Sequence, residues 1–266
     1  MIGPPRRVLI LGNSHIAAVK AAHAGAPDRW PGLAVTFAGG HGDALAALVV
    51  QGGRLVARSE AAAENLRLLN DRDDWGLAGY DVFVVVGCQV GIYRALMPYR
   101  AGRFLGLPSA AQPGPAVPVS RAMFGLAVQE QVVRSLGGAL ALRIRAGIEA
   151  DGLAAQVMLA EQPRPSFDCR RSRKKFAGLL RARRLGDGAV LTEVFEQEAR
   201  AALPGITLLA QPEATRHVGL FTRPRYSKGS VRLTANRHIE HPEDDFIHAN
   251  AAYGALVLDQ IAAAVG

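Results

Sequence analysis

Five short apolar segments, each followed by a helical pattern, limit the folds open to this chain of 266 residues more than any other feature. The clearest segment is residues 81–86, DVFVVV, which is rich in β-branched side chains and is ended by Gly87. The other segments are residues 7–11, 33–38, 156–161 and 206–210. Strands that are apolar along their whole length are typical of a parallel sheet whose two faces are both covered by helices.

Helical patterns separate these segments, at about residues 15–24, 43–50, 59–69, 189–203 and 250–264. A further amphipathic helix is indicated by apolar side chains at every fourth position: Val132, Leu136, Leu140, Ile144 and Ile148. Repeated strand–helix alternation predicts a three-layer α/β/α sandwich around a flavodoxin-like, doubly wound, five-stranded parallel sheet. We expect one domain over residues 1–266, with an irregular insertion at about 92–124 and a basic segment at about 164–186.

The net charge of +8 is concentrated in that basic segment. Between Arg164 and Arg184 the chain has nine arginines and lysines against one acid, Asp168. Two interpretations stay open, a solvated loop and helix or a contact with an anionic polysaccharide or nucleic acid. The cations of that contact would be Arg170, Arg171, Arg173, Lys174 and Lys175.

Other features argue against several classes of protein. The two cysteines, Cys88 and Cys169, form neither a disulfide framework nor a zinc motif, and His238-x-x-His241 has no third ligand at a recognised spacing. No segment approaches the roughly 20 uncharged apolar residues of a membrane span, and the apolar run after Arg7 is too short for a signal sequence. We therefore expect a cytoplasmic protein with no metal and no organic cofactor.

A serine follows the first predicted strand, in the block Gly12-Asn13-Ser14-His15, directly before a helix. Ligands of open α/β sheets bind at the carboxyl ends of the strands, and the free N–H groups of a helix N-terminus can stabilise an oxyanion. Ser14 is thus a candidate nucleophile. The alternative is that Asn13 or Ser14 only caps the helix. His15 either lines the site or lies on the helix surface, and the second placement is the expected one.

A second block, Asp244-Asp245-Phe246-Ile247-His248, lies directly before the last helix. A carboxylate three residues before a histidine can accept a hydrogen bond from one ring nitrogen and leave the other free to take a proton. Asp245 and His248 are therefore candidates for the acid and base that activate a nucleophile. The alternative is a surface loop whose acids cap the helix.

Together the two blocks resemble the SGNH (GDSL-like) hydrolase family, in which a serine block follows the first strand and an Asp-x-x-His block precedes the C-terminal helix. The resemblance implies Ser14 as nucleophile, His248 as base and Asp245 as the group that orients it. It also implies an oxyanion site made by the N–H groups of Ser14 and Gly39, with Gly40 as the near alternative. The family's third oxyanion donor is an asparagine in a Gly-x-Asn block.

In this chain the matching residues are Gly87-Cys88-Gln89, so glutamine replaces the asparagine. Losing one oxyanion donor typically costs about 2.7–4 kcal/mol of transition-state stabilisation. The resemblance implies an esterase, a carbohydrate deacetylase or an O-acyltransferase acting on a small-molecule or carbohydrate ester without a cofactor. The alternative is an accessory binding protein that has lost catalysis through Gln89. Cys88 is expected to be a buried, unreactive thiol.

Overall fold

Five parallel strands form the central sheet of the computed structural model, which describes residues 3–112, 116–172, 174–235 and 237–266. The strands are β1 (Arg6–Gly12), β2 (Leu33–Gly39), β3 (Val82–Val86), β4 (Gln156–Ala160) and β5 (Ile206–Leu209). Their hydrogen-bonded order is β2-β1-β3-β4-β5. This is the flavodoxin-like order, whose switch point lies between β1 and β3. The predicted fold class is confirmed.

Both faces of the sheet are buried. Leu9, Leu11 and Phe83 point into one core, and Val8 and Ile10 point into the other. Because neighbouring side chains along a strand point to opposite faces, a strand covered on both sides needs an apolar residue at every position. This is why the strand segments are continuous rather than alternating.

Helices cover each face, and among the described residues they are α1 (Ile16–Gly25), α2 (Gly42–Ala46), α3 (Glu60–Asn70), α4 (Tyr93–Tyr99), α5 (Arg121–Val133), α6 (Leu136–Ala150), α7 (Ala177–Arg184), α8 (Gly188–Ala202) and α9 (Ala251–Val265). Helices α1 and α9 pack on the core that contains Val8 and Ile10. Helices α3, α6 and α8 contribute to the opposite core. None of these helices is long and apolar enough to cross a membrane.

The structure corrects one predicted helix. The pattern at residues 43–50 gives a helix only to Ala46, and Leu48–Gln51 then pairs antiparallel with Arg54–Ala57. Gly52 and Gly53 both have positive φ, 55° and 69°, between these two strands. A Gly-Gly pair is typical of a tight hairpin turn that needs this conformation, so the turn residues override the helical pattern.

The segment at residues 92–150 also differs from expectation. The insertion predicted to be irregular contains α4, and residues 113–115 lie outside the described residues. The amphipathic pattern at 132–148 is divided between α5 and α6, with Ser135 accepting the Gly138 N–H at 3.0 Å as the cap of α6. A Cβ atom at Gly138 would lie 2.1 Å from the Val132 carbonyl oxygen. The chain turns sharply here, so the helix cannot continue.

Helices α1 and α9 cross at very short distance. A Cβ atom at Gly254 of α9 would lie 2.0 Å from the carbonyl oxygen of Ala18 in α1. The same two helices begin just after Ser14 and His248 respectively. The crossing therefore fixes how closely these two residues approach each other.

Replacing Gly254 with alanine is expected to push α9 away from α1 and destabilise the protein by about 1–3 kcal/mol, as overpacking does. Equilibrium denaturation in urea measures the effect. Gly178→Ala is the matched control, since this helical glycine has nothing within 4 Å of its missing Cβ and alanine is the better helix former. A Gly254→Ala protein as stable as the wild type would contradict the proposed role of the crossing.

Candidate active site

Ser14 lies where β1 ends at the carboxyl edge of the sheet. A Cβ atom at Gly12 would lie 2.9 Å from the Val86 carbonyl oxygen, so a glycine lets β1 pass close to β3 at this point. The Asn13 side chain accepts the His15 N–H at 3.3 Å and shapes the turn into α1. The Ser14 side chain does not cap the helix. Its hydroxyl is available for another partner.

His248 is held from the other side of the site by the start of α9. Two residues further on, the Asn250 side chain caps α9 by accepting the Tyr253 N–H at 3.3 Å. The same amide donates to the carbonyl oxygens of Arg225 and Lys228 at 2.8 and 2.7 Å. These bonds connect the loop that precedes His248 to the first turn of α9.

The structure brings Ser14, His248 and Asp245 together. Ser14 Oγ lies 2.8 Å from His248 Nε2, and His248 Nδ1 lies 2.8 Å from Asp245 Oδ2. The second carboxylate oxygen of Asp245 accepts the backbone N–H groups of Ile247 at 2.9 Å and His248 at 3.1 Å. Of the two neighbouring aspartates, Asp245 is thus the one that faces the imidazole.

The charge of Asp245 sets the direction of these hydrogen bonds. Burial alone would raise the pKa of its carboxyl group, but hydrogen bonds from the His248 ring and the Ile247 backbone outweigh burial and hold the pKa below its usual range. An ionised Asp245 accepts from His248 Nδ1–H, so Nε2 has a free lone pair that accepts the Ser14 hydroxyl. This tautomer is the one that nucleophile activation requires.

Two further histidines flank His248. The ring of His241 stacks on it at 3.9 Å and 7°, and the ring of His15 lies 4.9 Å away. His15 is buried, and Gly87 of the neighbouring turn packs against it, so the expected place on the helix surface is wrong. Burial and the nearby His248 lower the pKa of His15 to about 3, and the same two causes lower the pKa of His241.

The oxyanion site differs from the expectation. Within the described residues the Ser14 N–H has no hydrogen-bond acceptor, so it stays a candidate donor. The predicted role of Gly39 needs correction, because its N–H already donates to Asn70 Oδ1 at 2.7 Å. Its near alternative, Gly40, donates to the Gly12 carbonyl oxygen at 3.1 Å. Neither amide is free to receive a developing charge.

The side chain and the backbone N–H of Gln89 are both hydrogen-bonded in the structure. Its side chain is exposed, its amide oxygen accepts from Arg94 at 2.9 Å, and its backbone N–H donates to the Gln162 side chain at 2.9 Å. Among the described residues none of its hydrogen bonds reaches Ser14 or His248, and its oxyanion donation stays a prediction. Gly87, Cys88 and Gln89 all have positive φ, and this tight left-handed turn determines where the glutamine points.

The neighbouring thiol is as inert as expected. Cys88 is fully buried, and burial raises its pKa to about 12. A thiol with this pKa is almost entirely protonated at neutral pH and is a poor nucleophile.

Ser14 opens into a cavity of about 410 Å³. Its lining side chains are Ser14, His41, Arg232, Leu233, His241, Pro242 and Asp245. Four of these side chains come from the loop at residues 213–243, so this loop covers part of the site. Residues 98–112 and 116–120 provide none of the lining.

His241, Asp245 and His248 could together hold a metal ion, since their donor atoms all lie within 4.8 Å of one another. Two imidazoles and a carboxylate are common zinc ligands. Here His248 is used otherwise, because its Nε2 is hydrogen-bonded to Ser14 and its Nδ1 to Asp245. The absence of a metal from the reaction stays a prediction.

The chain was compared with protein-family models, with curated proteins and with solved structures. No protein-family model and no curated protein match the chain. Among solved structures it is similar to an extracellular lipase from Streptomyces rimosus, at 16% identity over 97% of this chain and 99% of that chain, with a TM-score of 0.42. It is also similar to a phospholipase A1 from Streptomyces albidoflavus NA297, at 13% identity over 96% of this chain and 99% of that chain, with a TM-score of 0.39.

A third similarity is to the periplasmic domain of a lipopolysaccharide acetyltransferase from Salmonella ser. Paratyphi A. The identity is 11% over 100% of this chain and 85% of that chain, and the TM-score is 0.41. The α/β architecture agrees with the resemblance to SGNH hydrolases carried by the two sequence blocks. At these identities and TM-scores, the similarities give no information about the reaction or the substrate of this chain.

Proposed function

We propose that this protein is a serine-dependent ester hydrolase or O-acyltransferase in which Ser14 is the nucleophile, His248 the base and Asp245 the group that orients His248. The observation that supports this most is the continuous hydrogen-bonded series from Ser14 Oγ through His248 to Asp245, with 2.8 Å at each step. Distances of about 2.6–3.2 Å between nucleophile and base are those that activated serines have.

The proposed reaction has two halves. His248 Nε2 takes the Ser14 proton while Oγ bonds to the ester carbonyl carbon, and the carbonyl oxygen becomes negative beside the Ser14 N–H. The alcohol then leaves with the proton from His248, which gives an acyl-Ser14 ester. Water or a second alcohol, deprotonated by His248, attacks this ester and restores Ser14.

We expect the proposed enzyme to have a low kcat, because its oxyanion site offers few hydrogen-bond donors. The Gly39 N–H donates to Asn70, and Arg94 holds the Gln89 side chain through its amide oxygen, so the Ser14 N–H is the donor of the predicted set on which we rely. A missing oxyanion donor typically lowers kcat by about 10²–10³-fold. We infer that the substrate is a reactive or tightly held ester, of a small molecule or an acylated carbohydrate, whose short acyl group fits the open cavity beside Leu233 and His41.

A serine-reactive fluorophosphonate tests the proposal without knowledge of the substrate. We expect the wild type to be labelled on the peptide that contains Ser14 and to hydrolyse p-nitrophenyl acetate, while Ser14→Ala does neither. Ser120→Ala is the matched control, since this serine is exposed and lies in a segment that provides none of the cavity lining, and it should leave both activities unchanged. Mass spectrometry locates the label.

A wild-type protein that is folded but neither labelled nor active would overturn the proposal. That result would favour the alternative, an accessory protein that binds an anionic polysaccharide or nucleic acid. Its contact residues would be exposed cations of the basic segment, namely Arg170, Arg171, Lys174 and Lys175. Arg173, the fifth predicted contact, lies outside the described residues. This polyanion contact stays a proposal.

A cytoplasmic location also stays a proposal. It is supported by the two cysteines, which are both buried and unpaired in the structure. Free cysteines are usual where thiols are kept reduced.

A further inference from the structure

A second cavity lies between the segment at 98–120 and the end of α7. Its volume is about 340 Å³, and it shares no lining residue with the cavity beside Ser14. Three arginines line it, Arg103 from the segment and Arg181 and Arg184 from α7. None of its lining residues in the described part of the chain is acidic. The cavity is therefore strongly positive and has no part in the reaction proposed for Ser14.

Arg103 is the unusual member of this group, because it is only 6% exposed. Among the described residues its hydrogen bonds all go to neutral oxygen atoms. Nε donates to Ser109 Oγ at 3.0 Å, and Nη1 donates to the carbonyl oxygens of Tyr99 and Gly102. Nη2 is buried and has no hydrogen-bond partner in the same part of the chain. Buried arginines are normally paired with an acid, since an unpaired buried charge costs free energy.

The nearest acid in this hydrogen-bond network is Asp187, which is fully buried. It accepts the Ser109 hydroxyl at 2.5 Å, so Ser109 Oγ lies between its carboxylate and the Arg103 guanidinium. Even when the charge of Asp187 is set against that of Arg103, the charges of Arg181 and Arg184 remain. The partial negative charge at the end of a helix favours these two arginines at the end of α7. It does not explain why a third guanidinium is buried beside them.

We propose that this cavity binds a phosphate group whose organic part is apolar. Arg181 and Arg184 would donate to the phosphate oxygens, and Arg103 would contribute its buried positive charge from the cavity wall. The planar guanidinium group suits phosphate geometry, and the roughly two negative charges of a phosphate monoester match the two arginine charges that remain. Leu105 and Val119 line the same cavity, and Leu105 is 97% exposed, so an apolar group attached to the phosphate would find a contact.

Isothermal titration calorimetry with phenyl phosphate tests the site. We expect the wild type to bind it with a dissociation constant below about 1 mM, and phenol, which lacks the charge, not to bind. Arg181→Gln and Arg184→Gln should each weaken binding by at least about tenfold, as the loss of a hydrogen bond to a charged group does. Arg134→Gln is the matched control, since its side chain is 74% exposed and does not line the cavity. Arg103→Met should also weaken binding, and the two α7 variants decide the question if this variant does not fold.

Vesicles distinguish two sources of the phosphate. Sedimentation of the wild type with phosphatidylcholine vesicles that contain phosphatidic acid, but not with phosphatidylcholine alone, would assign the phosphate to a lipid headgroup if Arg184→Gln abolishes it. Binding of phenyl phosphate without sedimentation would assign it to a soluble compound. Failure to bind either probe would overturn the inference. Equal weakening in Arg134→Gln would also overturn it, because binding would then reflect only the net charge of +8.

Discussion

Replacement of His248 by alanine is expected to lower kcat for ester hydrolysis by about 10⁶-fold, and replacement of Ser14 by alanine is expected to have the same effect. Ser14 Oγ is activated only while a base accepts its proton, and His248 Nε2 at 2.8 Å is that base. His15 and His241 lie close by, but neither forms a hydrogen bond with Ser14 among the described residues. Neither can replace His248 without rearrangement.

The double variant should be no slower than either single variant. Residues that act as one unit lose their whole contribution when any one of them is removed. Steady-state hydrolysis of p-nitrophenyl acetate by the wild type, both single variants and Ser14→Ala/His248→Ala measures this. His238→Ala serves as the control for a histidine in the same loop. Losses that multiply in the double variant would mean that Ser14 and His248 act separately.

The placement of Ser14 and His248 could be predicted because it depends on local rules. An apolar strand followed by Gly12 and a helix puts Ser14 at the carboxyl edge, and the order of the strands puts that edge at the switch point. His248 precedes the helix predicted at 250–264, which the structure shows to be capped by Asn250. For Ser14 each step needs only neighbouring residues and the parallel arrangement of the sheet, whereas the pairing of His248 with Ser14 was implied by the resemblance to SGNH hydrolases.

His15 and His241 could not be predicted, since their positions depend on distant contacts. His15 is buried because Gly87, which follows β3, leaves space for its ring. His241 reaches Asp245 because its backbone is bonded to Ser230 in a loop without periodicity. The one signal in the sequence was the glycine after β3, which implies a close approach but does not say of what.

The hydrogen-bond partners of the predicted oxyanion residues could not be predicted for a related reason. The resemblance to SGNH hydrolases gave the positions of Gly39 and Gln89 but not their partners. Asn70, at the end of α3, bonds to both the N–H and the carbonyl oxygen of Gly39 at 2.7 Å. Arg94, at the start of α4, holds the Gln89 side chain. Such partners become known only when the helices are packed on the sheet.

In the basic segment, the buried position of Arg164 also could not be predicted from the sequence. It was counted with the cations of a solvated stretch or polyanion contact, but its side chain is fully buried. It donates to Glu161 Oε1 at 3.0 Å and to Glu196 at 3.3 Å, and it also bonds to the Gly219 carbonyl oxygen. Glu161 follows β4 directly, so this ion pair lies at the same edge of the sheet as Ser14. Spacing alone does not distinguish it from its exposed neighbours.

Replacing Arg164 with methionine is expected to destabilise the protein by about 3–5 kcal/mol, because it leaves Glu161 as a buried charge without its partner. The Glu161 side chain is fully buried, and among the described residues its remaining hydrogen bond comes from the Gln211 N–H at 3.0 Å. Equilibrium denaturation in urea measures the loss. Arg171→Met is the matched control, since its side chain is 71% exposed, and it should change stability by less than about 0.5 kcal/mol.

A second substitution distinguishes an unpaired charge from lost packing. Glu161→Gln removes the charge and keeps an oxygen that can accept the Gln211 N–H. If the buried charge is the cause, Glu161→Gln/Arg164→Met should recover at least half of the stability that Arg164→Met loses. A double variant no more stable than Arg164→Met would mean that the contacts of Arg164 with Thr192 and Gly219 matter more. Because Gln162, the residue after Glu161, accepts the Gln89 N–H, the same ion pair also supports the turn beside the candidate active site.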